Sequence, residues 1–191
     1  MPQITANFAY AEFKPNGAPN TWLPENDYQN FLIKTLAANL QIVSNAMPKG
    51  CSISITNSVR TIGDYNRLKS QGYHPSETSD HFCGASITLS KDSSNRHKFG
   101  PNYYFSVGAA DVISSGIDLK TFFDIAIGMT KSGVCKFGQL IFETDPIKGS
   151  KWVHFANDYS SIFSDAMVKF LGREKYLTTN DGGKTYVPYI S

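Results

Sequence analysis

The stretch "QLIFETDPIKGSKWVHFA", residues 139–156, decides the fold. Two apolar, β-prone segments, 139–143 and 152–156, flank "TDPIKGSK", whose Pro and Gly mark a turn. The pattern predicts two adjacent antiparallel strands. With Ile141 opposite His154, Glu143 faces Trp152 and shares a side of the sheet with His154. A slip of one residue sends Glu143 to the other side. In the first register Glu143 can serve as general base toward a metal-activated water. The alternative is a strand-end glutamate facing solvent. His154 reads either as a ligand or as a packed structural imidazole.

Working outward, Tyr28, Phe31, Leu32, Thr35, Leu36, Leu40 and Val43 recur at helical spacing. They predict a helix over roughly 25–46, stopped by Pro48 and Gly50. "CSISITNSVR" (51–60) alternates, with Ile53 and Ile55 on one face and Ser52, Ser54 and Thr56 on the other. That predicts a half-buried strand ending at Arg60. A short helix over about 62–71 closes at Gly72. Residues 84–113 read as a strand, a polar loop and a returning strand, a hairpin-like insertion, and His81 just before it reads as the start of a strand. Asp118 caps a helix over about 119–131. An amphipathic helix over 159–171 precedes a C-terminal hairpin over 172–191, turning at Asn180, Asp181, Gly182 and Gly183. Residues 1–24 are rich in turn formers and read as an irregular arm. The expectation is one α+β domain over 1–191, with a central, largely antiparallel sheet flanked by helices.

Composition bounds the function. The chain has 191 residues, 41% hydrophobic and 18% charged, which suits a globular domain. A net charge of +2, with basic residues scattered, does not advertise a nucleic-acid partner. No apolar stretch is long enough to span a membrane. The N-terminal residues "MPQITANFAYAEF" lack the charged and apolar regions of a signal peptide, so synthesis in the cytoplasm is expected. Three cysteines, Cys51, Cys83 and Cys135, give an odd count without a disulfide framework and point to a reducing compartment.

Four histidines are present, His74, His81, His97 and His154. A catalytic zinc site takes three protein ligands and leaves a position open. His81, Asp111 and His154 come from separate segments that one sheet can bring together. Asp111 is an acid inside the apolar stretch "VGAADVI", where an unpaired carboxylate is costly. A strand-end cap is the alternative reading of Asp111. A Cys83–His81 nucleophile pair is a further arrangement, although working pairs usually come from separated segments.

In order along the chain, "SVRTIGDYN" (58–66), "SETSDHFCG" (76–84), "GAADVI" (108–113), "GQLIFE" (138–143) and "KWVHF" (151–155) resemble the zinc D-alanyl-D-alanine carboxypeptidase family. That family includes VanX-type dipeptidases and many phage endolysin peptidases, and shares a fold with the zinc domain of hedgehog proteins. The likeness covers roughly residues 30–156, and the order of the motifs carries it. It implies that His81, Asp111 and His154 bind zinc. It implies that Arg60 meets a substrate carboxylate or an oxyanion, that Ser79 and Trp152 line the substrate side, and that Glu143 activates water. The implied reaction is metal-assisted hydrolysis of an amide in peptidoglycan stem or cross-link peptides. A phage-encoded protein acting at the bacterial wall after lysis, or carried in a virion, fits that resemblance, with no nucleic-acid or membrane partner.

Two departures stand out. The family's Asp falls where this chain has Thr88, so Asp111 takes the role across an insertion carrying Phe99, Tyr103, Tyr104 and Phe105, with Asp92 and then Cys83 as the next candidates. Lys151 occupies the position where many members carry the catalytic acid, which leaves that task to Glu143. If Glu143 does not take it, the fold is kept as a structural or wall-binding protein that docks on a phage tail or capsid protein.

Overall fold

The computed structural model describes residues 1–76, 79–84, 90–91, 97–98, 106–158 and 176–190. The main sheet uses β1 (Ser52–Asn57), β4 (Ala109–Ser115), β5 (Phe137–Thr144), β6 (Lys151–Asn157), β7 (Tyr176–Thr179) and β8 (Val187–Pro188). β2 (Ser90–Lys91) and β3 (His97–Lys98) pair only with each other. The helices are α1 (Tyr10–Phe13), α2 (Asp27–Ala46), α3 (Ile62–Ser70) and α4 (Leu119–Lys131), with a 3₁₀ turn at Asp80–Phe82.

The sheet order is β1-β4-β6-β5-β7-β8. β5 and β6 pair antiparallel with Ile141 opposite His154 and Glu143 opposite Trp152, the register that puts Glu143 and His154 on one face. The β5–β7 pair is parallel, so the α+β sheet is mixed rather than antiparallel throughout. A parallel neighbour needs a long crossover, and the chain between β6 and β7 has the length for one.

Alternation splits the sheet into two faces. Ala110, Val112, Leu140, Val153 and Phe155 belong to the core, which α2 and α4 cover. Phe155 packs between Phe137 and Phe122, at 4.9 and 5.7 Å between ring centroids. α2 forms because Asn26 caps it, its side chain accepting from Gln29 N, and because Leu32, Ile33, Leu36, Leu40 and Val43 make one apolar stripe. Asp118 caps α4 in the same way, accepting from Thr121 N. Asp111, Ile141, Glu143 and His154 point to the opposite face.

Several sequence expectations shift. The arm over 1–24 is tied down: it contains α1, and Phe8, Tyr10 and Phe13 enter the core. β1 stops at Asn57 instead of Arg60, because the backbone leaves the sheet to meet the 3₁₀ turn, with Arg60 N donating to His81 O at 2.8 Å. His81 therefore sits in a 3₁₀ turn and does not start a strand. The C-terminal hairpin pairs Thr178 with Val187, but its connection is a wide loop rather than a tight turn. Asp181 builds that loop by accepting from Thr179 Oγ1, Lys184 N and Thr185 N. The helix expected over 159–171 and most of the strand expected after Gly84 lie outside the described residues. No helix among the described residues is long and apolar enough to cross a membrane.

Candidate metal centre

Sheet pairing positions two of the three candidate ligands. Asp111 of β4 is directly opposite His154 of β6, so their side chains rise together from one face. His81 arrives from outside the sheet. Its 3₁₀ turn is capped by the Ser79 hydroxyl, ends at Cys83 with φ 40°, and packs Phe82 on Tyr65 of α3 at 5.9 Å. A Cβ at Gly108 would meet Cys83 Sγ at 3.2 Å, so glycine lets the turn lie against the start of β4.

The three side chains converge. His81 Nε2 is 3.1 Å from Asp111 Oδ1 and 3.1 Å from His154 Nδ1, and His154 Nδ1 is 3.2 Å from Asp111 Oδ1. All three are buried. His81 Nδ1 donates to Ser58 O at 2.7 Å, which fixes that tautomer and turns the Nε2 lone pair toward its neighbours. Asn57 Nδ2 donates to Asp111 Oδ2 at 3.1 Å, leaving Oδ1 for the cluster. An imidazole lone pair, a carboxylate oxygen and a second imidazole nitrogen thus meet at one point. Such a group of acceptors needs a cation at its centre, either a proton on His154 or a metal ion. The donor atoms lie within 4.8 Å of one another, so the group can hold a metal ion. Two imidazoles and a carboxylate, with supporting hydrogen bonds behind them, suit a divalent transition metal.

The electrostatics agree. Burial pushes His81 down and keeps it neutral. Burial acts downward on His154 too, but its hydrogen bond and charge contact with Asp111 outweigh this and raise it. Burial works to raise Asp111, yet His81 and His154 hold its carboxyl well below the ordinary range. Glu143, on the next strand, is pushed up to about 7, chiefly by burial and then by the Asp111 charge.

Glu143, Arg60, Ser79 and Trp152 line the same cleft as the cluster, a space of about 990 Å³. All the site residues expected from sequence therefore gather in one place. Arg60 Nη1 donates to Ser79 Oγ at 3.3 Å, and burial, only partly offset by Asp111 and Glu143, lowers its pKa. Arg60 Nε and Trp152 Nε1 are buried without a partner among the described residues. Lys151 is exposed, and alternation along β6 sends it to the face opposite His154, so no side chain at 151 stands beside the cluster. Asp92 and the aromatic residues 99 and 103–105 lie outside the described residues. Cys83 is buried and its thiol is pushed up to about 12 by burial, then by Asp80. A buried thiol so held is a poor nucleophile, which argues against the Cys83–His81 arrangement.

Sequence reasoning missed Asn57 and Ser58, which sit behind the cluster, and Tyr186, which enters the cleft from the C-terminal loop. "TNSVR" carries the only local signal for the first two: polar residues at a strand end just before Arg60. Nothing local marks Tyr186, which reaches the cleft only through the β5–β7 pairing. No family model, curated protein or solved structure matched the chain.

Proposed function

We propose that this protein is a zinc-dependent peptidase that hydrolyses an amide bond in peptidoglycan stem or cross-link peptides. One observation carries the reading: a buried His81–Asp111–His154 cluster able to hold a metal shares a cleft with a glutamate pushed up to about 7. A divalent cation bound there supplies Lewis acidity for attack on a carbonyl. Glu143 takes the proton of the attacking water and returns it to the leaving amine, work for which a pKa near neutrality is suited. Arg60, permanently charged and with Nε unpaired among the described residues, holds a substrate carboxylate or the developing oxyanion. Ser79 orients that guanidinium, and Trp152 supplies a wall and a donor. The ordered resemblance of the motifs to D-alanyl-D-alanine carboxypeptidases supports zinc as the metal and peptidoglycan peptides as the substrate.

The test is digestion of purified cell walls with zinc supplied, following newly released amino groups. Release by wild type and its loss in Glu143→Gln at unchanged zinc content is the expected result. No release from any cross-linked wall preparation by zinc-loaded wild type would overturn the proposal.

A further inference from the structure

We infer that Tyr186 is a further substrate-contacting residue, its hydroxyl donating a hydrogen bond to the carbonyl oxygen of the scissile amide as that oxygen gains charge. The inference rests on the proposed hydrolysis and extends it to a residue outside the resembling motifs.

The C-terminal loop is built to hold Tyr186 in place. Upstream, β7 runs parallel to β5 with Thr179 beside Glu143, so the loop starts at the edge of the cleft. Asp181 then folds it through three hydrogen bonds of 2.9–3.0 Å. Downstream, Tyr189 anchors it: Tyr189 N donates to Tyr176 O at 3.0 Å and Tyr189 Oη to Asp124 Oδ1 at 2.7 Å. The Tyr189 ring also packs edge-on against Phe123 at 4.8 Å. A residue fixed on both sides keeps its side chain where the fold puts it, as preorganised catalysis requires.

The ring folds back over Gly183. A Cβ at position 183 would come within 2.8 Å of Tyr186 Oη, and Gly183 has φ 83°, so glycine alone suits this position. The residue is 41% exposed overall and lines the cleft. Tyr186 Oη makes no hydrogen bond with a described residue. Arg60 and Trp152 line the same cleft, and each carries a buried N–H, Arg60 Nε and Trp152 Nε1, without a partner among the described residues. Such a set fits a ligand rich in acceptor oxygens. Burial at the hydroxyl, then the charges of Glu143 and Asp111, pushes the phenol pKa up, so it keeps its proton and can only donate.

The experiment compares wild type with Tyr186→Phe, both zinc-loaded, in two assays. The substitution removes one oxygen and leaves the ring. On soluble cross-linked peptides from muramidase-treated walls, kcat is expected to fall roughly 10–100-fold while KM changes little. Calorimetric titration with acetohydroxamate, whose oxygens imitate the reacting carbonyl, is expected to show roughly tenfold weaker binding in the variant. That second result supports the inference even if wild type cleaves no wall peptide, an outcome that would sink the proposed function alone. Equal acetohydroxamate affinity in the two proteins, unchanged kcat, or no binding of the probe by zinc-loaded wild type would overturn the inference.

Discussion

Asp111 and His154 face each other across β4 and β6, and the same His154 faces Ile141 across β5, two residues from Glu143. One strand thus sets the spacing between a candidate metal ligand pair and a candidate base. Strand register here is a chemical parameter: shifting β5 by one residue would move Glu143 to the helix-covered face and leave the cluster without a base.

The hydrogen bonds behind the cluster tune it. Asn57→Ala removes the donor to Asp111 Oδ2 and is expected to weaken metal affinity roughly 10–100-fold with the fold intact. Competition with a chromophoric chelator measures this. Unchanged affinity would show that Asp111 needs no such support.

Glu143 makes the metal-free protein depend on pH in a particular direction. Its folded pKa, about 7, lies above the ordinary 4.5, so the folded state holds the proton more tightly. Below about pH 4.5 both states are protonated and the residue contributes nothing to the pH dependence. As pH rises through this window the unfolded chain ionises first, and above about 7 the half-buried carboxylate disfavours the folded state. Glu143→Gln should therefore raise the melting temperature of metal-free protein at pH 8, and the gain should vanish toward pH 4. Calorimetric melts across that range check it. An equal gain at both ends would assign the effect to packing.

Hydrolysis should follow the same residue. Glu143→Gln is expected to lower kcat by roughly 10²–10⁴-fold with zinc still bound. Parallel assays of zinc content and peptide release separate a lost base from a lost metal.

The core under the sheet can be perturbed separately. Phe155 is fully buried between Phe122 and Phe137, so Phe155→Ala should destabilise by about 3–5 kcal/mol. Urea unfolding measures it. A loss under 1 kcal/mol would mean the aromatic cluster packs loosely.

Cys83 provides a chemical control. Its buried thiol should resist alkylation by iodoacetamide in the folded protein, and activity should survive treatment. Inactivation that tracks modification of Cys83 would restore a thiol mechanism.

Much of this geometry was legible in residues 139–156. Period-two alternation identified β5 and β6 but left two registers open, and the pairing of Ile141 with His154 is the one that brings Glu143 to the cluster's face. The cap at Asp118 and the stops at Pro48 and Gly72 bounded α4, α2 and α3 for local reasons, while the cap at Asn26 emerged only in the structure. Non-local features stayed hidden. The position of His81 depends on Arg60 N, Ser58 O and Gly108, from three separate segments, and no local pattern distinguishes its 3₁₀ turn from a strand start. The parallel placement of β7 beside β5 likewise depends on a crossover, and with it the approach of Tyr186 to the cleft. The arm over 1–24 looked irregular because its anchors, Phe8, Tyr10 and Phe13, have no period; tertiary burial alone orders them.

The most direct test is the amount of zinc bound per chain, measured by elemental mass spectrometry on protein purified without chelators or a histidine tag. Wild type and Asp111→Ala are compared. Close to one zinc per wild-type chain, lost in the variant while its circular dichroism is kept, is the predicted result. Wild-type protein that holds no zinc even after zinc is offered would contradict the account at its centre.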